Sequence, residues 1–342
     1  METQRSTQQI ALVIALYWIV SISMVFINKH ILSGSYGIND LSIFVAWYQS
    51  LSAVFLIKLV TWLSGHLRLG LTLPSLDIHA LLNSDMLKLS FAFVIGLTFN
   101  NLMLKHIGVA FYQVARSFTL IFTIILSFCV LKKYVPILGI ASCALVIMGF
   151  VIGIDQEDNA GTLSIWGMIY GIFASLANAV CGIYFKRVEM VLDGDSLKQA
   201  YYNNVNSIWI FLPLVISSGQ AQQVLSSDLM TNASFWMFLT FSGFLSLSIG
   251  WVSALQVKYT SPVTHHISIN AKSVAQTMLA IMFYHEYKTL MWWCGNLLVI
   301  LGIFLYAYTK MNESQPSSNV VNGSRKQLPV YTDISIQKTN AN

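Results

Sequence analysis

Three observations predict an all-α membrane protein: ten transmembrane helices arranged as two inverted five-helix repeats, with both termini cytosolic. Apolar residues make up 56% of the 342 and charged residues only 10%, whereas a soluble chain carries about 25% charge. Long apolar segments recur, each near the roughly 20 residues that a helix needs to cross hydrocarbon. Landmarks in the first five segments return in the last five at an almost constant offset.

In order, the predicted spans are 8–31, 41–64, 85–105, 109–131, 134–154, 163–186, 199–218, 234–257, 263–284 and 289–310. Residues 1–7 form a short cytosolic start, 8–154 the first repeat, 155–162 a lumenal connection, 163–311 the second repeat, and 312–342 a polar, disordered cytosolic tail. The apolar run from Ile10 is too long for a cleavable signal peptide and lacks a small-residue cleavage site, so it reads as an uncleaved first span.

Charge sets the orientation. With a cytosolic N-terminus, thirteen basic residues outside the membrane fall on the cytosolic side, and only Lys29, Lys105 and Lys288 fall opposite. The acidic stretch Asp155-Gln156-Glu157-Asp158 and the glycosylation sequon Asn232-Ala233-Ser234, with Asn232 as acceptor, then lie on the lumenal side. The net charge of +5 follows the loops, with no basic cluster longer than a pair, so nucleic acid is not an expected partner; the lipid bilayer is.

The repeat rests on five matches. Lys29 pairs with Lys186 at 157 positions, Trp47-Tyr48-Gln49-Ser50 with Tyr201-Tyr202-Asn203-Asn204 at 154, and Lys105 with Lys258 at 153. Arg116-Ser117 pairs with Lys272-Ser273, and Gly139 with Gly295, both at 156. Five spans is an odd number, so the second copy enters the membrane inverted. Secondary transporters are built this way, with the substrate near the midplane between the repeats.

Arg116 and Lys272 are the cations deep inside spans, since Lys58 can snorkel to the cytosolic end of its own. A charge at that depth costs at least ~2.5–3.5 kcal/mol on insertion scales. Every Asp and Glu falls in a loop, a tail or at a span end, so neither cation has a carboxylate within the spans. An unpaired buried charge is prohibitive, so both should face a wet cavity that accepts an anion. The bland alternative, snorkelling to a helix end, is weakened by their equivalent places in the repeat. Proton coupling through a membrane carboxylate and a metal site are both disfavoured; exchange of one anion for another needs neither.

Polar stripes surround these cations. Ser268 and Gln276 lie one turn either side of Lys272, and His265 lies beyond Ser268; Asn270 points elsewhere on a regular helix. Tyr112, Thr119 and Thr123 share the Arg116 face, while Tyr17, Ser21, Met24 and Asn28 follow helical spacing on span 1. On span 7, Asn203, Asn206 and Ser207 form one face with Asn204 beside it, next to Tyr201 and Tyr202. An Asn amide suits the edge of a purine, although Ser and Asn also bond between helices in membranes. Gly149xxxGly153 and Gly167xxxGly171 are close-packing patterns that serve equally within the fold or in a homodimer, and Pro213 is placed to kink span 7. The four cysteines sit in apolar segments without metal-like spacing and read as buried small hydrophobes. No HExxH, GxSxG or P-loop pattern occurs, so no enzyme, cofactor or metal is expected.

Over about residues 10–310 the chain resembles the nucleotide-sugar transporters of the drug/metabolite transporter superfamily, in particular their GDP-fucose branch. Phe111-Tyr112-Gln113-Val114-Ala115-Arg116-Ser117 looks like that family's fourth span. Tyr202-Asn203-Asn204-Val205-Asn206 resembles its FYNN motif, with Tyr201 where Phe is usual. Asp155-Gln156-Glu157 with Gly161-Thr162-Leu163-Ser164, and Thr260-Ser261-Pro262-Val263-Thr264-His265, resemble the branch's lumenal loop and its approach to span 9. Ser268-Ile269-Asn270-Ala271-Lys272 aligns with the GALNK motif, keeping the lysine but replacing its first Gly with Ser and its Asn with Ala.

The resemblance implies a Golgi carrier, with the endoplasmic reticulum as the alternative membrane, that imports GDP-fucose in exchange for GMP by alternating access. It implies that Lys272 and Arg116 meet the phosphates, Asn203 and Asn204 the guanosine, and Tyr17 the sugar. Tyr112 joins Tyr17 on the sugar side, and Ser268, Asn270 and Tyr202 complete the candidate site. Other nucleotide-sugar or phosphorylated-metabolite carriers are the nearest alternative, a membrane transferase or anion receptor the remotest.

Overall fold

The computed structural model describes residues 7–314, apart from 35, 38–39, 68–75, 130–136, 160, 162, 193, 260–261 and 286–287. The expected tail beyond Ser314 and the loop cations Arg68, Lys132 and Lys133 lie outside the described residues, as do the side chains of Lys186, Lys258, His265 and Asn270.

The described residues are helical with no strand. In order they form α1 (Thr7–Leu32), α2 (Ser42–Leu67), α3 (Ile78–Leu81), α4 (Ser84–His106), α5 (Val109–Arg116) and α6 (Phe118–Cys129). There follow α7 (Ile137–Asn159), α8 (Ile165–Val191), α9 (Ser196–Ser217), α10 (Gln220–Ser226), a 3-10 turn (Asp228–Thr231), α11 (Ala233–Tyr259), α12 (Pro262–Tyr284) and α13 (Leu290–Ser314). Eight are long and apolar enough to cross a membrane, with α5 and α6 together giving one, or nine if the bent pair α9–α10 is counted as a span. α12 is 23 residues long yet not among these eight, because Lys272, Gln276 and its other polar residues lower its hydropathy. The outer surface carries large apolar side chains such as Leu12, Ile137, Trp209 and Leu290, 69–80% exposed, as lipid-facing helices must. The protein is thus multi-pass.

Side-chain caps mark several starts, since the first backbone N–H groups of a helix lack partners. Asn83 Oδ1 accepts from Asp85 N, Ser164 Oγ from Gly167 N, and Asp195 Oδ1 from Lys198 N, at 2.9, 3.2 and 3.0 Å. At the other end of α4, Lys29 Nζ donates to the carbonyls of Leu104 (2.6 Å), Lys105 (3.4 Å) and Ile107 (2.7 Å), a cation on the negative end of a helix.

The closest helix pairs are α4 with α8, α7 with α13, α1 with α11 and α2 with α9. Glycine explains two of them. A Cβ on Gly149 would run into Gly295 O, and one on Gly302 would come within 2.8 Å of Ser142 O, so α7 and α13 touch backbone to backbone. Gly153 lies against Phe111 and Val114, and Gly167 and Gly171 against Ile107 and Met103. Both glycine patterns are therefore consumed inside the fold. Exchanging the nth span with the (n+5)th turns α4–α8 into α11–α1 and α4–α9 into α11–α2, while α2–α9, α5–α12 and α7–α13 map onto themselves; all are packed pairs.

Four local features depart from the sequence expectation. Span 4 is two helices, α5 and α6, separated at Ser117, whose N–H bonds Val114 O at 3.1 Å and whose hydroxyl bonds the same carbonyl. That tightened step breaks the regular ladder. A sharp bend follows span 7, 71° between α9 and α10 at a left-handed Gly219, while Pro213 lies inside the continuous α9. α7 continues to Asn159, carrying the acidic stretch on helix instead of loop. The cysteines are free, but Cys129 and Cys294 are exposed rather than buried, while Cys143 and Cys181 are half-buried and Cys181 packs against the cluster around Ile57, Met86 and Tyr202.

Candidate functional site

Lys272 lies ten residues into α12 and is only 4% exposed. Its Nζ donates to Ser21 Oγ on α1 at 2.9 Å and to Gln276 Oε1 on its own helix at 3.4 Å. Next to this bridge, Trp18 Nε1 donates to Ser268 Oγ at 2.9 Å, so α1 and α12 are tied by two polar bonds around the lysine. Tyr17 is buried on α1 and hydrogen-bonds Ser21, placing its phenol beside the same serine.

Arg116 ends α5, at the Ser117 step, and is exposed although it sits within a span. Its guanidinium carbon lies 5.6 Å from the Tyr112 ring centroid, a cation–π contact. α5 packs on α12, and Ser273 Oγ donates to Gln113 Oε1 across that contact at 3.3 Å. Two like charges therefore share one neighbourhood, and among the described residues neither has an ion-pair partner. Mutual repulsion makes that arrangement costly until an anion joins it.

Four of the candidates gather here: Lys272, Arg116, Tyr17 and Ser268, with Tyr112 under the arginine. The Tyr112 hydroxyl donates to Asn100 Oδ1 at 3.5 Å, and Asn100 in turn reaches Gly96 O and Asn178 Oδ1. Asn270 lies on α12 in the same turn as Lys272, its side chain outside the described residues.

The span 7 candidates occupy α9, which packs chiefly on α2 and α4, whereas α12 packs chiefly on α5 and α13. Asn203 is buried, and its Oδ1 has no donor among the described residues. Asn204 spends its amide on Ala200 O, 2.9 Å away in its own helix. Tyr202 is fully buried; its hydroxyl accepts from Asp77 N at 3.0 Å, and it packs among Ile57, Met86 and Leu89. Asn206 Nδ2 donates to Leu81 O at 3.0 Å, so with Tyr202 it docks the α3 segment onto α9. Asn28, on the span 1 stripe, bonds Gln49 rather than facing the lysine: Gln49 Nε2 reaches Asn28 Oδ1 at 2.8 Å and Ser242 Oγ at 3.1 Å. Asn232 Oδ1 caps α11 by accepting from Phe235 N at 3.1 Å, which leaves its amide nitrogen outside the cap.

Residues 8–307 match the family model of the Triose-phosphate Transporter family. The chain belongs to that family. It is a transporter family, so the two cations belong to a carrier rather than to an enzyme. Among curated relatives, mouse GDP-fucose transporter 1 is 39% identical over 325 residues, covering 94% of this chain and 90% of the relative. The Caenorhabditis elegans GDP-fucose transporter is 39% identical, covering 89% of this chain and 83% of its own. The Drosophila melanogaster protein named GDP-fucose transporter, Golgi is 33% identical, at 89% and 91% coverage. One solved crystal structure superposes with a TM-score of 0.53 at 11% identity, spanning 91% of this chain and 100% of the other, a likeness of fold alone.

Sequence reasoning passed over Trp18 and Gln113. Gln113 was visible as a carboxamide in an apolar segment three residues from Arg116. Trp18 had no such mark, because its partner Ser268 lies 250 positions away.

Proposed function

We propose that this chain is a Golgi nucleotide-sugar antiporter that brings GDP-fucose into the lumen and returns GMP to the cytosol by alternating access. The observation that carries the reading is Lys272, buried in mid-helix within the electrostatic reach of Arg116, with no ion-pair partner for either among the described residues. Such a pair suits a diphosphate bridge and equally the phosphate of GMP, which is what exchange requires. Relatives named as GDP-fucose transporters from mouse, worm and fly support the choice of nucleotide sugar. Asn203, with a buried unpaired acceptor, is suited to the N–H edge of guanine. Tyr17, beside Ser21, and Tyr112, under Arg116, would face the sugar.

Ten spans in two inverted repeats follow on counting α5–α6 and α9–α10 as one span each and including α12. The closure of the packed helix pairs under exchange of the two halves supports that count. Both termini are then cytosolic, and each cation is delivered by the corresponding span of its repeat.

The test is counterflow in liposomes preloaded with GMP. Labelled GDP-fucose should accumulate in wild type, and Lys272→Ala should nearly abolish uptake; near-normal exchange in that variant removes Lys272 from the mechanism. A second reading, a phosphorylated-metabolite exchanger, is favoured by the family's name alone. Competition by GMP, UMP and inorganic phosphate in the same assay separates the two, since a base-reading site ranks GMP far above phosphate.

A further inference from the structure

We propose that Gln113 and Gln276 are phosphate-positioning residues, whose carboxamide N–H groups donate to phosphoryl oxygens of the carried anion. The inference rests on the carrier reading above and adds two neutral donors to its two cations.

The geometry starts from Gln276, which is 0% exposed. Lys272 Nζ approaches its Oε1 at 3.4 Å, and an ammonium can only donate, so the oxygen must face the lysine. The amide nitrogen is thereby turned away from Lys272, buried and without an acceptor among the described residues. Gln113 repeats the situation on the neighbouring helix. Its Oε1 accepts from Ser273 Oγ at 3.3 Å, and its Nε2 is buried without an acceptor among the described residues. Ser273 adjoins Lys272, and Gln113 is one turn before Arg116, so the two open donors accompany the two cations.

Buried polar groups are almost always satisfied, and an unmade donor is expensive. Two of them on facing helices beside an uncompensated pair of cations call for an acceptor with several oxygens. Lys272, Arg116, Trp18 and the two amides are all donors, and among the described residues no carboxylate pairs with either cation. A phosphate or diphosphate supplies what is missing. Amides serve this purpose without adding charge, so a site of two positive charges stays matched to a dianion whichever exchange partner occupies it.

The experiment titrates GMP and guanosine against the purified full-length chain in detergent, with thermal stabilisation as the readout. Guanosine carries the base and ribose but no phosphate. Gln113 touches neither cation, so Gln113→Met is the deciding variant; Met matches the volume of Gln and has no donor. It should weaken GMP by roughly tenfold, as expected for a hydrogen bond to a charged group, and leave guanosine within about twofold. The double variant with Gln276→Met should weaken GMP further. Unchanged GMP affinity in Gln113→Met, or equal losses for GMP and guanosine, overturns the proposal. A double variant no weaker than Gln113→Met overturns the part played by Gln276. Wild type that responds to neither GMP nor GDP-fucose sinks the carrier reading itself, a result distinct from a responsive wild type with unmoved variants.

Discussion

Ser21 on α1 and Lys272 on α12, 251 positions apart, meet through a 2.9 Å hydrogen bond from the ammonium to the hydroxyl oxygen. The bond ties α1 to α12. On the proposed function, a phosphoryl oxygen would compete with the serine oxygen for the ammonium.

Ser21→Ala should accordingly cost the ligand-free protein about 1.5–3 kcal/mol, the range for a hydrogen bond to a charged group. GMP should then stabilise the variant more than it stabilises wild type, because no internal ligand has to be displaced. Melting temperatures with and without GMP measure both effects. A variant with unchanged ligand-free stability and an unchanged GMP increment argues that the Ser21 bond is incidental.

Asn203 carries an expectation that distinguishes one base from another. Asn203→Leu removes a buried acceptor without touching the cations. GMP competition for GDP-fucose uptake should weaken by roughly tenfold while inhibition by inorganic phosphate stays the same. Loss of both would assign Asn203 to folding.

Glu157 and Lys288 form an ion pair of 2.6 Å, with side chains 5% and 7% exposed, and Trp292 Nε1 donates to the same carboxylate oxygen at 3.0 Å. Lys288→Met leaves a buried carboxylate without its cation and should cost about 3–5 kcal/mol. Adding Glu157→Gln should recover most of that loss, since neutral partners avoid the uncompensated charge. Thermal melting of the single and double variants decides; an additive loss contradicts a specific pair. The KM for GDP-fucose should remain unaltered in the double variant.

Gly149→Ala drives a methyl group into the backbone of α13 and should destabilise by about 1–3 kcal/mol, as overpacking does. Gly182→Ala is the control, because a Cβ there meets nothing within 4 Å. Equal stability of the two variants would mean that α7 and α13 are not in backbone contact.

The sequence made legible whatever stands out against an apolar background. Lys272 and Arg116 could be found because a charge in mid-span has a cost. The all-helical, multi-pass character was legible because long apolar segments recur along the chain. The Ser117 step was not, since it depends on a hydroxyl choosing a carbonyl three residues back. Nor was the fate of the asparagines: Asn203 and Asn204 are adjacent, yet one keeps an open acceptor while the other bonds its own helix. Glu157 looked like a loop residue because its partner Lys288 is 131 positions away. Periodicity reports which face a residue takes, whereas pairing across helices is decided by the packed bundle.

The seam between α7 and α13 has a consequence for how the chain may be cut. α7 closes the first half and α13 closes the second, and they meet through glycine backbone contacts and the Glu157–Lys288 pair. Each half thus carries one side of a specific fastener. Severing the peptide between α7 and α8 should leave two fragments that find one another when co-expressed, and co-purification of a tagged first half with an untagged second would show it. At that point the protein's continuity rests on packing more than on a covalent bond.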